Sequence, residues 1–386
     1  MLNELANLED LKSLIERNYS LSAVGGHLVV NDVWYLGADG TLQKGKLAAP
    51  LVQPTPSTLG APANHQMYWS GSHPYFADGT PIPQLGNGSV QLEIGGTTYG
   101  RHLSNKPPEG FATYSMLVEH YVALISGPAA QKYGVSSLTG ATYDVGEDVA
   151  PFKVRDTFSA RAQITDLNAA LANDRIAIIG LGGTGAFVLD FLVKTAVFSI
   201  DGYDFDTYAV HNGFRSAGEV RIGDFGHPKV DVCRRKYEAF RHRLNFQQRR
   251  ITGDDSALFQ DTTFAFVCVD SGEARGEICD MLTRLGIPFI DTGMGIEKEA
   301  GKLDGLIRTT LFRPETASAA IERVPRDAGP SVPGAYRTFV QIGELNALNA
   351  ALAVIRYKQF RGFYADDEQP METLMALGSS RIFGVA

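Results

Sequence analysis

Gly180-Leu181-Gly182-Gly183-Thr184-Gly185 constrains this chain more than any other segment. It follows the apolar run Ile176-Ala177-Ile178-Ile179 and opens a helical pattern from Ala186 to Thr195. Glycines at such a junction let the backbone approach a phosphate, and the helix N-terminus offers free N–H groups and the positive end of its dipole. The segment satisfies G-x-G-x-x-G, with Asp201 and Asp204 about 20 residues on, so a dinucleotide and ATP are both admissible ligands. Further expected elements are a strand at Val197–Ile200, a helix at Val230–His242, a strand at Thr263–Val269, a helix at Ala274–Leu285 and a strand at Pro288–Ile290. Strands alternating with helices of these lengths predict an α/β fold with a parallel, doubly wound sheet.

The chain has 386 residues, enough for two or three domains at about 150 residues each. Its character changes near residue 150. Residues 1–150 read as a smaller α+β accessory domain, and residues 151–386 as the doubly wound domain. In the first part Leu8, Leu11, Leu14 and Ile15 form one helical stripe. Short strands are expected at His27–Asn31, Val33–Leu36 and Val90–Ile94. Seven prolines from Pro50 to Pro83 indicate irregular or edge-strand backbone, a helix is expected over residues 111–126, and residues 127–150 read as a linker. Net charge is −8 with no long basic tract, which argues against a nucleic-acid partner. No apolar run nears the roughly 18 residues of a membrane span, and no secretory signal is visible, so the expectation is a cytoplasmic protein.

Beyond the glycine turn the spacing becomes specific. Asp204-Phe205-Asp206 is followed by Asn212 and Arg215, then Gly226-His227-Pro228-Lys229, then Val267-Cys268-Val269-Asp270 with Arg275 five residues later. This series resembles the ThiF/MoeB/HesA superfamily, the adenylation module of ubiquitin-activating enzymes, over roughly residues 155–360. The resemblance implies a Rossmann-like domain in which Gly180, Gly182, Gly183 and Gly185 line the nucleotide. It further implies that Asp204 bonds the ATP ribose, that Asn212, Arg215 and Lys229 hold the triphosphate, and that Asp270 holds Mg²⁺. The chemistry agrees: a carboxylate attacking the α-phosphate brings like charges together, so cations and a metal must neutralise them. Ser271 departs from the asparagine usual in the family. Members also supply an arginine from an N-terminal helix, for which Arg161 is the candidate and Arg155 the alternative. An NAD-dependent oxidoreductase would leave Asn212 and Arg215 unexplained. An inert scaffold of the same fold is the other alternative.

The cysteines are Cys233, Cys268 and Cys279, with none after them. Three without a C-x-x-C exclude a zinc ribbon or a disulfide framework, and all three read as core residues. Family members often pass the acyl group to a cysteine in a crossover segment. The corresponding stretch here is Pro325–Gly334, before a helix expected at Gln341–Tyr357, and it offers Ser331. Either Ser331 forms an oxyester or the reaction stops at the acyl-adenylate.

His65, His73 and His102 lack metal-ligand spacing. The stretches Trp69-Ser70-Gly71-Ser72-His73-Pro74 and Leu103-Ser104-Asn105-Lys106-Pro107-Pro108 are similar to a domain that precedes ThiF modules in bacterial ubiquitin-like operons. The resemblance implies a ubiquitin-like or sulfur-carrier protein as partner, a ubiquitin-conjugating-type carrier protein, a homodimer, and a role in conjugation and antiphage defence.

Overall fold

The computed structural model describes residues 8–55, 58–86, 88–136, 150–154, 156, 158–159, 162–317, 321, 324–326 and 340–385. Two compact units result. One comprises Met1–Asp144 with Val154–Thr165, the other Val145–Lys153 with Asp166–Ala386.

The first unit is a six-stranded antiparallel sheet under two helices. Its strands are β1 (Leu21–Val24), β2 (His27–Leu36), β3 (Leu42–Pro50), β4 (Gln66–Trp69), β5 (Gly88–Ile94) and β6 (Thr97–Ser104), in the order β1-β2-β3-β4-β6-β5. The apolar stripe of α1 (Glu9–Glu16) packs with α2 (Tyr114–Tyr133) over Leu28, Val30, Leu47 and Trp69. Asp10 ties the helices together by accepting N–H bonds from Tyr114 (2.6 Å) and Ser115 (3.1 Å) at the start of α2. Trp69 is fully buried between Gly45 and Gly71, where an added Cβ would fall 2.4 and 2.8 Å from the indole.

Two expectations need correction here. His27–Leu36 is one strand, not two: Asp32 adopts φ +55° and the register slips between Val30 and Val33, so a bulge absorbs the polar Asn31-Asp32 pair. The second helix does not stop before Gly127-Pro128 but carries Pro128 inside it and ends at Gly134, whose φ is +65°. Tertiary contacts outweigh the lost hydrogen bond: Ser126 bonds the Trp34 carbonyl at 2.8 Å, Ala129 is fully buried, and Lys132 and Tyr133 both bond Gly40 O.

The second unit contains an eight-stranded sheet in the order β14-β13-β12-β11-β10-β7-β8-β9. Strands β7 (Arg175–Ile179), β8 (Ser199–Asp204), β9 (Leu244–Gln248), β10 (Phe264–Val267) and β11 (Phe289–Glu299) are parallel to their neighbours in that set. Strands β12 (Lys302–Phe312), β13 (Glu372–Ala376) and β14 (Arg381–Val385) extend it antiparallel. On β7, Ile176 and Ile178 face one core while Ala177 and Ile179 face another. Helices α3 (Gly183–Leu192), α4 (Lys229–Tyr237) and α6 (Gly343–Phe360) cover the first face and α5 (Gly272–Arg284) the second, which is the expected doubly wound arrangement. The fully buried Arg241 closes the end of α3 by donating to the carbonyls of Val193, Thr195 and Val197.

The strand expected at Pro288–Ile290 is instead the start of an eleven-residue strand in a hairpin. Its two-residue turn is Ala300-Gly301, with φ +46° and +82°, a geometry that suits right-twisted strands. The other expected elements of this unit lie where expected, with ends moved by a few residues, while β9, β13 and β14 were not expected.

Candidate nucleotide-binding site

The chain runs from β7 outward through β8 to β9, then returns to lay β10 on the other side of β7. The strand order therefore reverses between β7 and β10, and ligands of open α/β sheets bind outside the carboxyl ends of the strands at such a point. The glycine turn leaves β7 there, and Asp270 follows β10 there.

Three of the four glycines are dictated by packing. Gly180 has φ +90°, and a Cβ on it would fall 2.6 Å from the Cys268 carbonyl oxygen. On Gly183 a Cβ would meet the Asn346 amide at 2.3 Å, and on Gly185 the Gly180 carbonyl at 1.9 Å. Gly182 differs. It caps α3, and a Cβ there would meet no described residue within 4 Å beyond its own chain neighbours. Open space over a helix N-terminus is the cradle a phosphate needs.

Asp204, at the end of β8, is buried and locks the turn. Its Oδ2 accepts the Leu181 N–H at 2.8 Å and its Oδ1 the Asp206 N–H at 2.9 Å. Lys229, the first residue of α4, is buried with its Nζ 2.7 Å from Asp206 Oδ2 and 3.6 Å from Asp204 Oδ1. The structure thus brings Asp204, Lys229 and the turn together. Asn212 is buried in the short helix Val210–Gly213, where its Oδ1 accepts the Ala209 N–H at 2.8 Å. Arg215 follows; its Nε is buried and has no hydrogen-bond partner among the described residues. The Arg215 backbone is joined to Thr184 of the turn through the Asn346 amide, and an orphaned guanidinium nitrogen on that segment fits a polyphosphate, so the donor set suits ATP.

Asp270 is exposed, two residues beyond Cys268, whose carbonyl touches Gly180. A single carboxylate of this kind suits Mg²⁺, which usually takes one or two carboxylates with phosphates and water. Ser271, where an asparagine was the family norm, caps α5 by accepting the Ala274 N–H at 3.4 Å. Ser331, Arg161 and Arg155 lie outside the described residues.

Sequence reasoning missed two groups. Asp291 is fully buried between Arg275, at 3.0 Å, and Arg308, while Arg275 also donates to the Val269 carbonyl and so braces the strand end that leads to Asp270. Asn346, in the first turn of α6, contacts both Thr184 and Arg215. The available signal was a pair of amides, Asn346 and Asn349, three residues apart in the largely apolar stretch Leu345–Ile355. The cysteines carry no reactive thiolate. Burial pushes the thiols of Cys233 and Cys268 up to about 12 and raises that of Cys279 as well. His65 bonds Ser104 Oγ at 3.0 Å and His73 the Ile82 carbonyl at 3.3 Å.

Residues 159–318 match the ThiF family, and residues 9–157 match a domain family of unknown function, DUF6791. The chain carries a ThiF-family domain. Among solved structures, E. coli MccB with ATP is 17% identical over 56% of this chain and 65% of its own, with a TM-score of 0.43. PaaA is 16% identical over 67% of this chain and 73% of its own, also with a TM-score of 0.43. This chain therefore spans just under two thirds of the length of MccB. No curated protein matches it. Among the described residues, no helix of the ThiF-family domain or of the first unit is long and apolar enough to cross a membrane.

Proposed function

We propose that this chain is an ATP-dependent adenylyltransferase that activates the C-terminal carboxylate of a ubiquitin-like or sulfur-carrier protein. The observation that carries the reading is the open cradle over Gly182 at the sheet's switch point, with Lys229 tied to the turn through Asp204 and the Arg215 backbone tied to it through Asn346. The carboxylate oxygen attacks the α-phosphorus of ATP, the bond to the β-phosphate oxygen breaks, and acyl-adenylate and pyrophosphate result. The N-terminus of α3 holds the phosphates, Asp204 accepts a ribose hydroxyl, and Asn212, Arg215 and Lys229 hold the triphosphate. Mg²⁺ held by Asp270 would screen the charge that gathers on the departing pyrophosphate.

Folding disfavours the thiolate at all three cysteines, of which Cys268 is only partly buried, so no thioester is assigned to this chain. The reaction ends at the adenylate, or the acyl group passes to Ser331 as an oxyester. The first unit would hold the partner or a ubiquitin-conjugating-type carrier, and the protein would then act in conjugation and antiphage defence. A homodimer is supported by two exposed large apolar side chains: Phe214, which precedes Arg215 in the chain, is 85% and Ile222 89% accessible.

ATP–pyrophosphate exchange with small ubiquitin-like proteins tests the reading. The wild-type chain should catalyse exchange and Asp270→Ala should not. A carrier protein that binds the chain tightly yet supports no exchange would overturn the proposal. Ser331→Ala tests the second step: loss of an alkali-labile conjugate with exchange intact assigns the nucleophile, and persistence of the conjugate removes Ser331 from the mechanism.

A further inference from the structure

We infer that Asn346 is a positioning residue, one buried amide that sets the distance between the glycine turn and Arg215. The inference rests on the nucleotide reading of that site. Asn346 is 1% exposed and lies in α6, a helix outside the segment that carries every other group of the site. Its Oδ1 accepts the Thr184 hydroxyl at 3.1 Å, and its Nδ2 donates to the Arg215 carbonyl at 3.4 Å. The orientation of the amide is fixed, because a carbonyl oxygen can only accept. The contacts around it are close. A Cβ on Gly183 would strike Nδ2 at 2.3 Å, and one on Gly343 would fall 3.3 Å from the Phe214 carbonyl. The start of α6 is therefore seated on the backbone of residues 214–215 and on the turn at once.

The two segments joined by this amide do different work. The turn presents the N-terminus of α3, and Arg215 presents a buried Nε that has no hydrogen-bond partner among the described residues. A triphosphate must reach both. Its fit depends on their separation, and small misplacements of binding groups are costly. Asn346 touches neither phosphate nor metal in this account. It acts through Thr184 and Arg215.

A double-mutant cycle on the full chain tests this, read by calorimetric titration with Mg²⁺ and a non-hydrolysable ATP analogue. In the wild-type background Arg215→Ala should weaken binding about tenfold or more, the usual scale for a charged hydrogen bond. In an Asn346→Ala background the same substitution should cost less than about threefold, because Arg215 is already out of place. Asn346→Asp keeps the volume and the acceptor but removes the donor to Arg215. It should give the same reduced penalty, and it decides the matter if the alanine variant does not fold. A full penalty for Arg215→Ala in both backgrounds overturns the positioning role while leaving the nucleotide site in place. Absence of analogue binding by the wild-type chain overturns both the site and the role of Asn346.

Discussion

The ammonium of Lys229 lies 3.6 Å from the buried carboxylate of Asp204, the residue whose other oxygen holds the Leu181 N–H of the glycine turn. Lys229 also pairs with Asp206, whose side chain is half exposed. Replacing the lysine by methionine strands Asp204 in the interior, so Lys229→Met should destabilise the chain by about 2–3 kcal/mol, below the cost of a fully buried pair. Asp206→Asn should cost under about 1 kcal/mol. Urea unfolding of the two variants checks this. Equal stabilities would mean that Asp204 does not need the lysine.

The glycines of the turn should separate into two classes. Gly180→Ala forces a side chain onto the Cys268 carbonyl at a φ of +90°, and the protein should lose several degrees of melting temperature or fail to fold. Gly182→Ala meets no described residue within 4 Å beyond its own chain neighbours, so it should melt like the wild type. The same substitution should weaken binding of an ATP analogue about tenfold, because the methyl group occupies the phosphate cradle. Normal affinity in Gly182→Ala would remove the cradle from the site.

The thiols offer a test by pH. Folding raises the pKa of Cys233 and Cys268 from near 9 to about 12, so it favours their protonated form. Their contribution to stability is full below pH 9 and is lost as the pH climbs from there towards 12. At pH 8 the folded chain should react with iodoacetamide at least about 100-fold more slowly than the chain in urea. Rapid alkylation of the folded protein would reopen the question of a thioester.

The exposed apolar side chains of Phe214 and Ile222 give a prediction about assembly. Phe214→Glu combined with Ile222→Glu should convert a homodimer to a monomer, measured by light scattering after gel filtration. Both side chains are almost fully accessible, so the melting temperature of the monomer should not report a damaged core. A dimer that survives both substitutions uses another surface.

Much of the second unit was legible because local and long-range requirements coincide there. Gly180 must be glycine for its φ and for its distance to Cys268, and a parallel strand such as Ile176–Ile179 is apolar on both faces. The errors fall where tertiary packing overrules a local rule. Gly127-Pro128 reads as a stop, yet Ser126, Ala129 and Tyr133 each have a partner or a buried place that holds the helix through it. Asn31-Asp32 reads as a turn, yet a single left-handed residue turns it into a bulge inside one strand. The partners of Asn346 were illegible for a different reason. Nothing near it in sequence says that it meets Thr184, 162 positions earlier.

That separation bears on the order in which the site can assemble during synthesis. A nascent chain that has emerged through residue 318 already holds the glycine turn, Asp204, Lys229 and Asp270 and completes the ThiF-family match, but α6 is still inside the ribosome. Until α6 emerges, Gly183 has no amide against it and Arg215 no anchor. Competence to bind nucleotide is therefore tied to the emergence of α6, and chains stalled with residue 318 just outside the ribosome should not retain an ATP analogue that chains stalled well beyond α6 retain.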